Sequence, residues 1–201
     1  MDEWDGLRER LFGTPYEVWH DGIHEGQLDD ADPAELRVAL PEGLAAGDWV
    51  AAVAARRLGD RDLLPLVAAR LGIGGGRFAV EAARAIVALG GDHQAAIAWA
   101  IESLERGGWP DRLDVAVGLR HLPGNGVIAA LLTAAESDPD YLVRYHAAES
   151  LLHLGGIEPR DITLHPEVFS DLAAGADGEP TDEDRHRHSL AAAALRRLLG
   201  Q

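Results

Sequence analysis

Apolar residues recur along most of the chain every three or four positions, which is the spacing of an amphipathic helix. The clearest case lies in residues 138–156, where Val143, Ala147, Leu151 and Leu154 share one helical face. This pattern predicts a helix that buries one face.

Both ends of this helix carry residues that favour helix termini. Asp138 can cap the first turn, and Pro139 suits the first helical position. Gly155 and Gly156 favour the end of a helix. We therefore predict a helix that starts directly after Asp138 and stops before Gly155.

The same arrangement recurs upstream around a series of leucines, which we call the anchor leucines. Each is preceded by small residues six and seven positions earlier and by a further apolar residue three positions earlier. The anchors are Leu58, Leu89, Leu122 and Leu154, and they lie 31, 33 and 32 residues apart. A fifth copy is predicted at Leu198, after a longer gap of 44 residues. The small residues allow neighbouring helices to approach closely.

A second amphipathic stretch follows each of the first four anchors. These stretches are Asp62–Leu71, His93–Leu104, Val127–Ala135 and Pro166–Ala173. One anchor helix and its follower make a unit of roughly 30 residues, a size typical of stacked helical repeats. The pattern predicts an all-α fold, an α-α superhelix (solenoid) of about four to five helix pairs.

The best copy resembles a known repeat family. Its matching residues are Asp138-Pro139, Val143-Arg144, Ala147-Ala148, Leu151 and Leu154-Gly155. They are similar to HEAT-like repeats, including the short variety named after the phycobilisome lyases. The resemblance covers roughly residues 47–156, and it implies an architecture without implying an activity.

In such families the position of Arg144 often pairs with an acid of a neighbouring repeat. Arg112 occupies the equivalent place in the preceding copy, whereas Ala79 and Asp48 occupy it in the two earlier copies. The resemblance therefore implies an incomplete series of ion pairs between repeats and a structural role for Arg144.

We predict a single domain, 1–201, with four parts. Residues 1–41 form an irregular N-terminal helical cap that is rich in aromatics, in which Asp32-Pro33 opens a short helix through Leu40. Residues 42–173 hold the HEAT-like repeats, 174–184 form an acidic loop, and 185–201 form a C-terminal capping helix.

Composition narrows the class of protein. The chain has no cysteine, which excludes disulfides, thiolate metal sites and a cysteine nucleophile. No apolar run approaches the length of a membrane span, and the first residues are acidic where a signal peptide is basic. We expect a soluble, cytoplasmic protein with no membrane partner.

The net charge of −16 narrows the class of partner. It opposes binding to a phosphate backbone, so we expect no nucleic-acid partner. DNA glycosylases built on HEAT-like repeats present a basic concave face, which this acidic chain does not match. The charge is compatible with a basic protein or peptide, and solubility alone is the alternative explanation.

Catalytic and metal-binding patterns are weak. His20 and His24 stand four residues apart, a spacing that puts two metal ligands on one helix face, but no Glu follows His20 and Gly22 weakens the helix. His146 and His153 lie two turns apart and could line a pH-sensitive groove. We find no catalytic constellation and predict no cofactor, so the chain is interpreted as a non-enzyme.

The candidate binding residues are aromatic and charged side chains on the best copy and at the start of the copy before it. They are Tyr141, Arg144, Tyr145, His146, Glu149 and Trp109. We interpret the chain as a protein-binding module with a curved acidic surface, in its most specific form an immunity-like protein that neutralises a basic toxin. Two alternatives stay open: an enzyme or lyase-like accessory protein that uses groove histidines, and a structural scaffold in a larger assembly. The sequence leaves the partner's identity, the oligomeric state and the concave helix row undetermined.

Overall fold

Every regular element in the described part of the chain is helical, which confirms the predicted all-α class. The structure is a computed structural model, and it describes residues 3–122, 124–157, 164–176 and 179–201. The α-helices are α1 (Glu3–Phe12), α2 (Pro15–Asp21), α3 (Pro33–Ala46), α4 (Trp49–Leu58), α5 (Leu64–Ala68), α6 (Gly76–Ala88), α7 (His93–Arg106), α8 (Trp109–Gly118), α9 (Asn125–Ser137), α10 (Tyr141–Leu154), α11 (Pro166–Leu172) and α12 (Asp182–Leu198). Short 3₁₀ turns precede α3 (Glu25–Asp30), lead into α5 (Arg61–Leu63) and extend α8 (Leu119–His121).

The helices predicted around the anchor leucines and their followers are present. Helices α4 and α10 end at Leu58 and Leu154, α6 ends one residue before Leu89, and Leu122 follows the turn after α8. The predicted followers correspond to α5, α7, α9 and α11. Leu198 ends α12 but stays exposed, whereas Leu89 and Leu122 are buried.

Several helix boundaries differ from the prediction. Helix α10 begins at Tyr141, because Asp140 caps it by accepting from the backbone N–H groups of Leu142 and Val143, while Asp138 lies directly after α9. Helix α3 begins as predicted but continues through Pro41 to Ala46, so it extends six residues beyond Leu40.

A further difference lies in the predicted acidic loop, 174–184. Thr181 forms a capping box with Asp184, so α12 begins at Asp182, inside the range assigned to the loop. Residues 177 and 178 of that loop lie outside the described residues.

The chain packs as two units, Met1–Trp99 and Ala100–Gln201, and the boundary falls within α7. In the first unit α1 packs on α3, α3 on α4, and α4 on α6. The indole of Trp4 lies against Gly43 of α3, where an added Cβ would come within 2.7 Å of its ring atoms. Glycine at this position therefore lets α1 and α3 approach closely.

In the second unit α10 packs on α8 and α9, and α12 packs on α9 and α11. Leucines from five segments fill its core, namely Leu119, Leu131, Leu151, Leu172 and Leu195. Within the described residues, no helix has the length and apolar character needed to cross a membrane.

Candidate functional site

Helix α10 carries Tyr141 and Tyr145, two of the binding residues predicted from the sequence. The rings of Tyr141 and Tyr145 are 6.0 Å apart between centroids, and Tyr145 lies 5.0 Å from Phe169 of α11 and 5.1 Å from His146. Both tyrosines are partly buried. The structure thus brings Tyr141, Tyr145 and His146 together, and the Tyr145 ring also packs against α11.

Glu149 continues this series towards α8. Its carboxylate lies 2.7 Å from Nδ1 of His146 and 3.7 Å from a guanidinium nitrogen of Arg120. Arg120 also donates to the hydroxyl of Ser150, which in turn donates to the carbonyl of Ala116. His146, Glu149 and Arg120 therefore form a partly exposed polar row that joins α10 to the turn after α8.

Arg144 does not belong to that surface, because its side chain is 0% exposed. Its Nη1 donates to the carbonyls of Asp138 (2.8 Å) and Pro139 (3.0 Å), and its Nη2 donates to those of Leu172 (3.1 Å) and Ala174 (3.2 Å). Burial lowers the pKa of Arg144. Because Arg144 is buried, its side chain cannot contact a partner at the surface. Its hydrogen bonds to backbone carbonyls give it a structural role.

Arg112, the residue at the equivalent position, bonds in a related way. Its Nη1 donates to the carbonyl of Gly107, five residues earlier, just as Nη1 of Arg144 donates to Pro139, five residues earlier. The two arginines differ in the partners of their other guanidinium nitrogens. Arg112 forms a bidentate pair with the carboxylate of Asp138 at 2.8 and 3.1 Å, and these hydrogen bonds raise its pKa.

His188 of α12 is a buried polar residue that the sequence analysis missed. Its Nε2 lies 2.9 Å from the carbonyl of Ala174, which also accepts from Arg144, so Nε2 must carry the proton. Burial is the main cause that lowers the pKa of His188. The available signal was spacing, since His188 precedes Leu198 by ten residues, as Arg144 precedes Leu154.

A groove in the second unit runs past the C-terminal end of α9. It consists of two cavities of about 370 and 400 Å³ that share Thr133, Ser137, Asp138 and Pro139. The first is also lined by Glu105 and Arg112, and the second by Glu136, Arg185, His188 and Ser189. Hydroxyls and charges of both signs line the groove.

His20 and His24 do not share a helix face. Helix α2 ends at Asp21, and Gly22 leaves the helix with a φ of 75°. His20 bonds Asp21 through Nδ1 at 2.7 Å, while His24 caps the following 3₁₀ turn. In the ranges the structure describes, no group of three or more His, Cys, Asp or Glu side chains is arranged to hold a metal ion.

The most exposed aromatic side chains lie on α2 and at the start of α8. Trp109 is the first residue of α8 and is 53% exposed, so its side chain is accessible. Trp19 and Tyr16 of α2 are still more exposed, although the sequence pointed only to a packed N-terminal cap.

Comparison with protein-family models, curated proteins and solved structures finds no match to this chain.

Proposed function

We propose that the chain is a non-enzymatic, cytoplasmic HEAT-like repeat module, an α-α superhelix of about four to five helix pairs, that binds a basic protein. The repeat assignment is supported by Arg112 and Arg144, which lie ten residues before successive anchor leucines. Each directs Nη1 to the carbonyl five residues earlier. Two side chains that bond alike at equivalent positions are what a repeated unit predicts.

The choice of a basic partner depends on how the arginines are used. All 18 basic side chains are arginines, set against 34 acids, and most arginines in the described residues form an ion pair with a carboxylate. The paired arginines are Arg8, Arg10, Arg37, Arg56, Arg57, Arg84, Arg106, Arg112, Arg120, Arg185, Arg187 and Arg196. Positive charge is thus largely neutralised within the fold, and the surplus carboxylates set the sign of the surface field.

Two of the histidines already have hydrogen-bond partners within the fold. His146 is held by Glu149, and His188 is buried against a backbone carbonyl. A basic toxin neutralised by this acidic module is the most specific form of the proposal, since charge complementarity favours rapid capture.

Calorimetric titration with two synthetic peptides of equal length tests the proposal. One alternates arginine with alanine, and the other alternates glutamate with alanine. We expect the arginine peptide to bind at low salt and the glutamate peptide not to bind. Equal binding of both peptides, or no binding of the arginine peptide, would overturn the basic-partner proposal.

A further inference from the structure

Helix α2 presents three ring side chains to solvent. Tyr16 and Trp19 are 68% and 78% exposed, and His20 is also exposed. The ring centroids are 6.2 Å apart for Tyr16 and Trp19 and 5.8 Å apart for Tyr16 and His20. We call Tyr16, Trp19 and His20 the aromatic ridge.

The ridge is held in place by the cap at the start of α2 and by a buried side chain on the opposite face of the helix. Thr14 and Glu17 form a capping box at the start of α2, with the Thr14 amide 2.7 Å from the Glu17 carboxylate. Val18 is buried and fixes the opposite face of the helix. The rings are therefore displayed on an ordered helix, which reduces the entropy lost when they bind a partner.

So much exposed aromatic surface is unfavourable unless something covers it. Burial of a large aromatic side chain stabilises a protein through the hydrophobic effect, and at Trp19 most of that contribution is unused because the side chain is 78% exposed. Tryptophan and tyrosine are also the residues that most often dominate binding energy at interfaces. The ridge thus has the properties of an interface anchor.

The acidic residues near the ridge indicate which kind of partner it binds. Residues 11–36 contain no arginine and seven acids. Three of the seven, Glu25, Asp29 and Glu35, form ion pairs with arginines from outside this range. Among the other four, Glu17 and Asp21 lie on α2 itself. Hydrogen bonds from Thr14 lower the pKa of Glu17, so its carboxylate is charged at neutral pH. Aromatic faces beside carboxylates attract guanidinium and ammonium groups and repel phosphates.

We infer that the aromatic ridge docks an arginine-bearing segment of the basic partner, whose guanidinium groups stack on Trp19 and Tyr16 while Glu17 and Asp21 neutralise them. This inference rests on the proposed function and assigns it a place on the chain. Arginine is the preferred cation because its planar group stacks on aromatic faces.

Titration of the arginine peptide into four variants, Trp19→Ala, Trp19→Phe, Ile73→Ala and Trp109→Ala, tests the inference. Trp19→Ala should weaken binding by about tenfold or more, the loss expected at an interface anchor. Trp19→Phe keeps an aromatic face and should lose only about threefold. Ile73→Ala, which truncates an exposed apolar side chain outside the ridge, should bind like the wild type. Circular dichroism checks that every variant keeps its helix content.

The outcomes distinguish a failure of the ridge inference from a failure of the proposed function. If the peptide binds the wild type and Trp19→Ala equally, or if Trp109→Ala alone weakens it, the ridge inference is overturned and the basic partner stands. If the wild type does not bind the peptide, the proposed function itself fails. Trp19-dependent binding to lipid vesicles, or Trp19-dependent self-association in sedimentation, would also overturn the ridge inference by identifying a different occupant.

Discussion

Arg144 shows how one buried cation can join segments that are distant along the chain. Its guanidinium satisfies carbonyls in the loop before α10 and others at the end of α11. A buried backbone carbonyl without a partner costs about 1–3 kcal/mol. The arginine thus links α10 to α11 through hydrogen bonds that no shorter or apolar side chain can make.

Replacement of Arg144 by leucine should therefore lower the free energy of unfolding by about 3 kcal/mol or more, because several buried carbonyls lose their donor at once. Urea denaturation measures this loss. The matched control is Arg106→Leu, whose side chain is 74% exposed and pairs with Glu102 one turn away, and it should cost less than about 1 kcal/mol. Similar losses for the two variants would contradict the role assigned to Arg144.

His188 makes the stability of the second unit dependent on pH. Its folded pKa lies below the ordinary value of 6.5, mainly because it is buried, with Arg144 and Arg187 adding to the shift and Asp184 opposing it. As the pH falls below 6.5, the unfolded chain takes up a proton that the folded His188 does not. Stability is thus fully present above that pH and declines below it.

Replacement of His188 by glutamine, which keeps a donor to the Ala174 carbonyl, should remove this contribution. Between about pH 7.5 and pH 5.5 the wild type should lose more unfolding free energy than His188→Gln. Urea denaturation at the two pH values measures the difference. Parallel losses in the two proteins would show that His188 does not titrate as described.

At the residue scale, the sequence predicts which residues lie at equivalent positions better than it predicts which groups surround each side chain. The spacing to Leu122 and Leu154 places Arg112 and Arg144 at the same repeat position, and the structure finds them bonding alike on one side. Spacing does not reveal which groups surround a side chain, because that depends on segments far away in the chain. For this reason the burial of Arg144 and of His188 was not predicted.

At the level of helices, periodicity located the elements, and local chemistry left some of their ends undetermined. Both Asp138 and Asp140 are good capping residues, and only the fold decides that Asp140 caps α10 while Asp138 pairs with Arg112. Helix α3 continues through Pro41 because Leu40 and Leu44 on either side of the proline are buried. Tertiary packing there outweighs the cost of the missing backbone donor.

Gly43 gives an element-scale prediction for the contact between α1 and α3. Gly43→Ala adds a methyl group 2.7 Å from the Trp4 ring and should destabilise the first unit by about 1–3 kcal/mol, despite the higher helix propensity of alanine. The control is Gly26→Ala, where the added carbon meets nothing within 4 Å. Thermal unfolding of both variants measures the effect, and an unchanged Gly43→Ala protein would contradict the close packing described.

For the whole molecule, charge is the property that sequence alone predicts most directly. The excess of acids is evident from composition, but the internal pairing of the arginines is evident only once the helices are packed. The division into the units Met1–Trp99 and Ala100–Gln201 was also not predicted, since the repeat spacing runs evenly across that boundary. Exposure of the aromatic ridge likewise depends on how α2 is oriented by Val18, which composition does not reveal.

The salt dependence of arginine-peptide binding tests the central proposal most directly. Electrostatic capture by surplus surface carboxylates predicts that affinity measured by calorimetry falls steeply and continuously as salt rises from about 0.05 to 0.5 M, because the screening length shrinks over that range. The wild type should follow this decline, and the glutamate peptide should stay unbound throughout. An affinity that is unchanged across the same salt range would contradict the account of an acidic module that captures a basic partner.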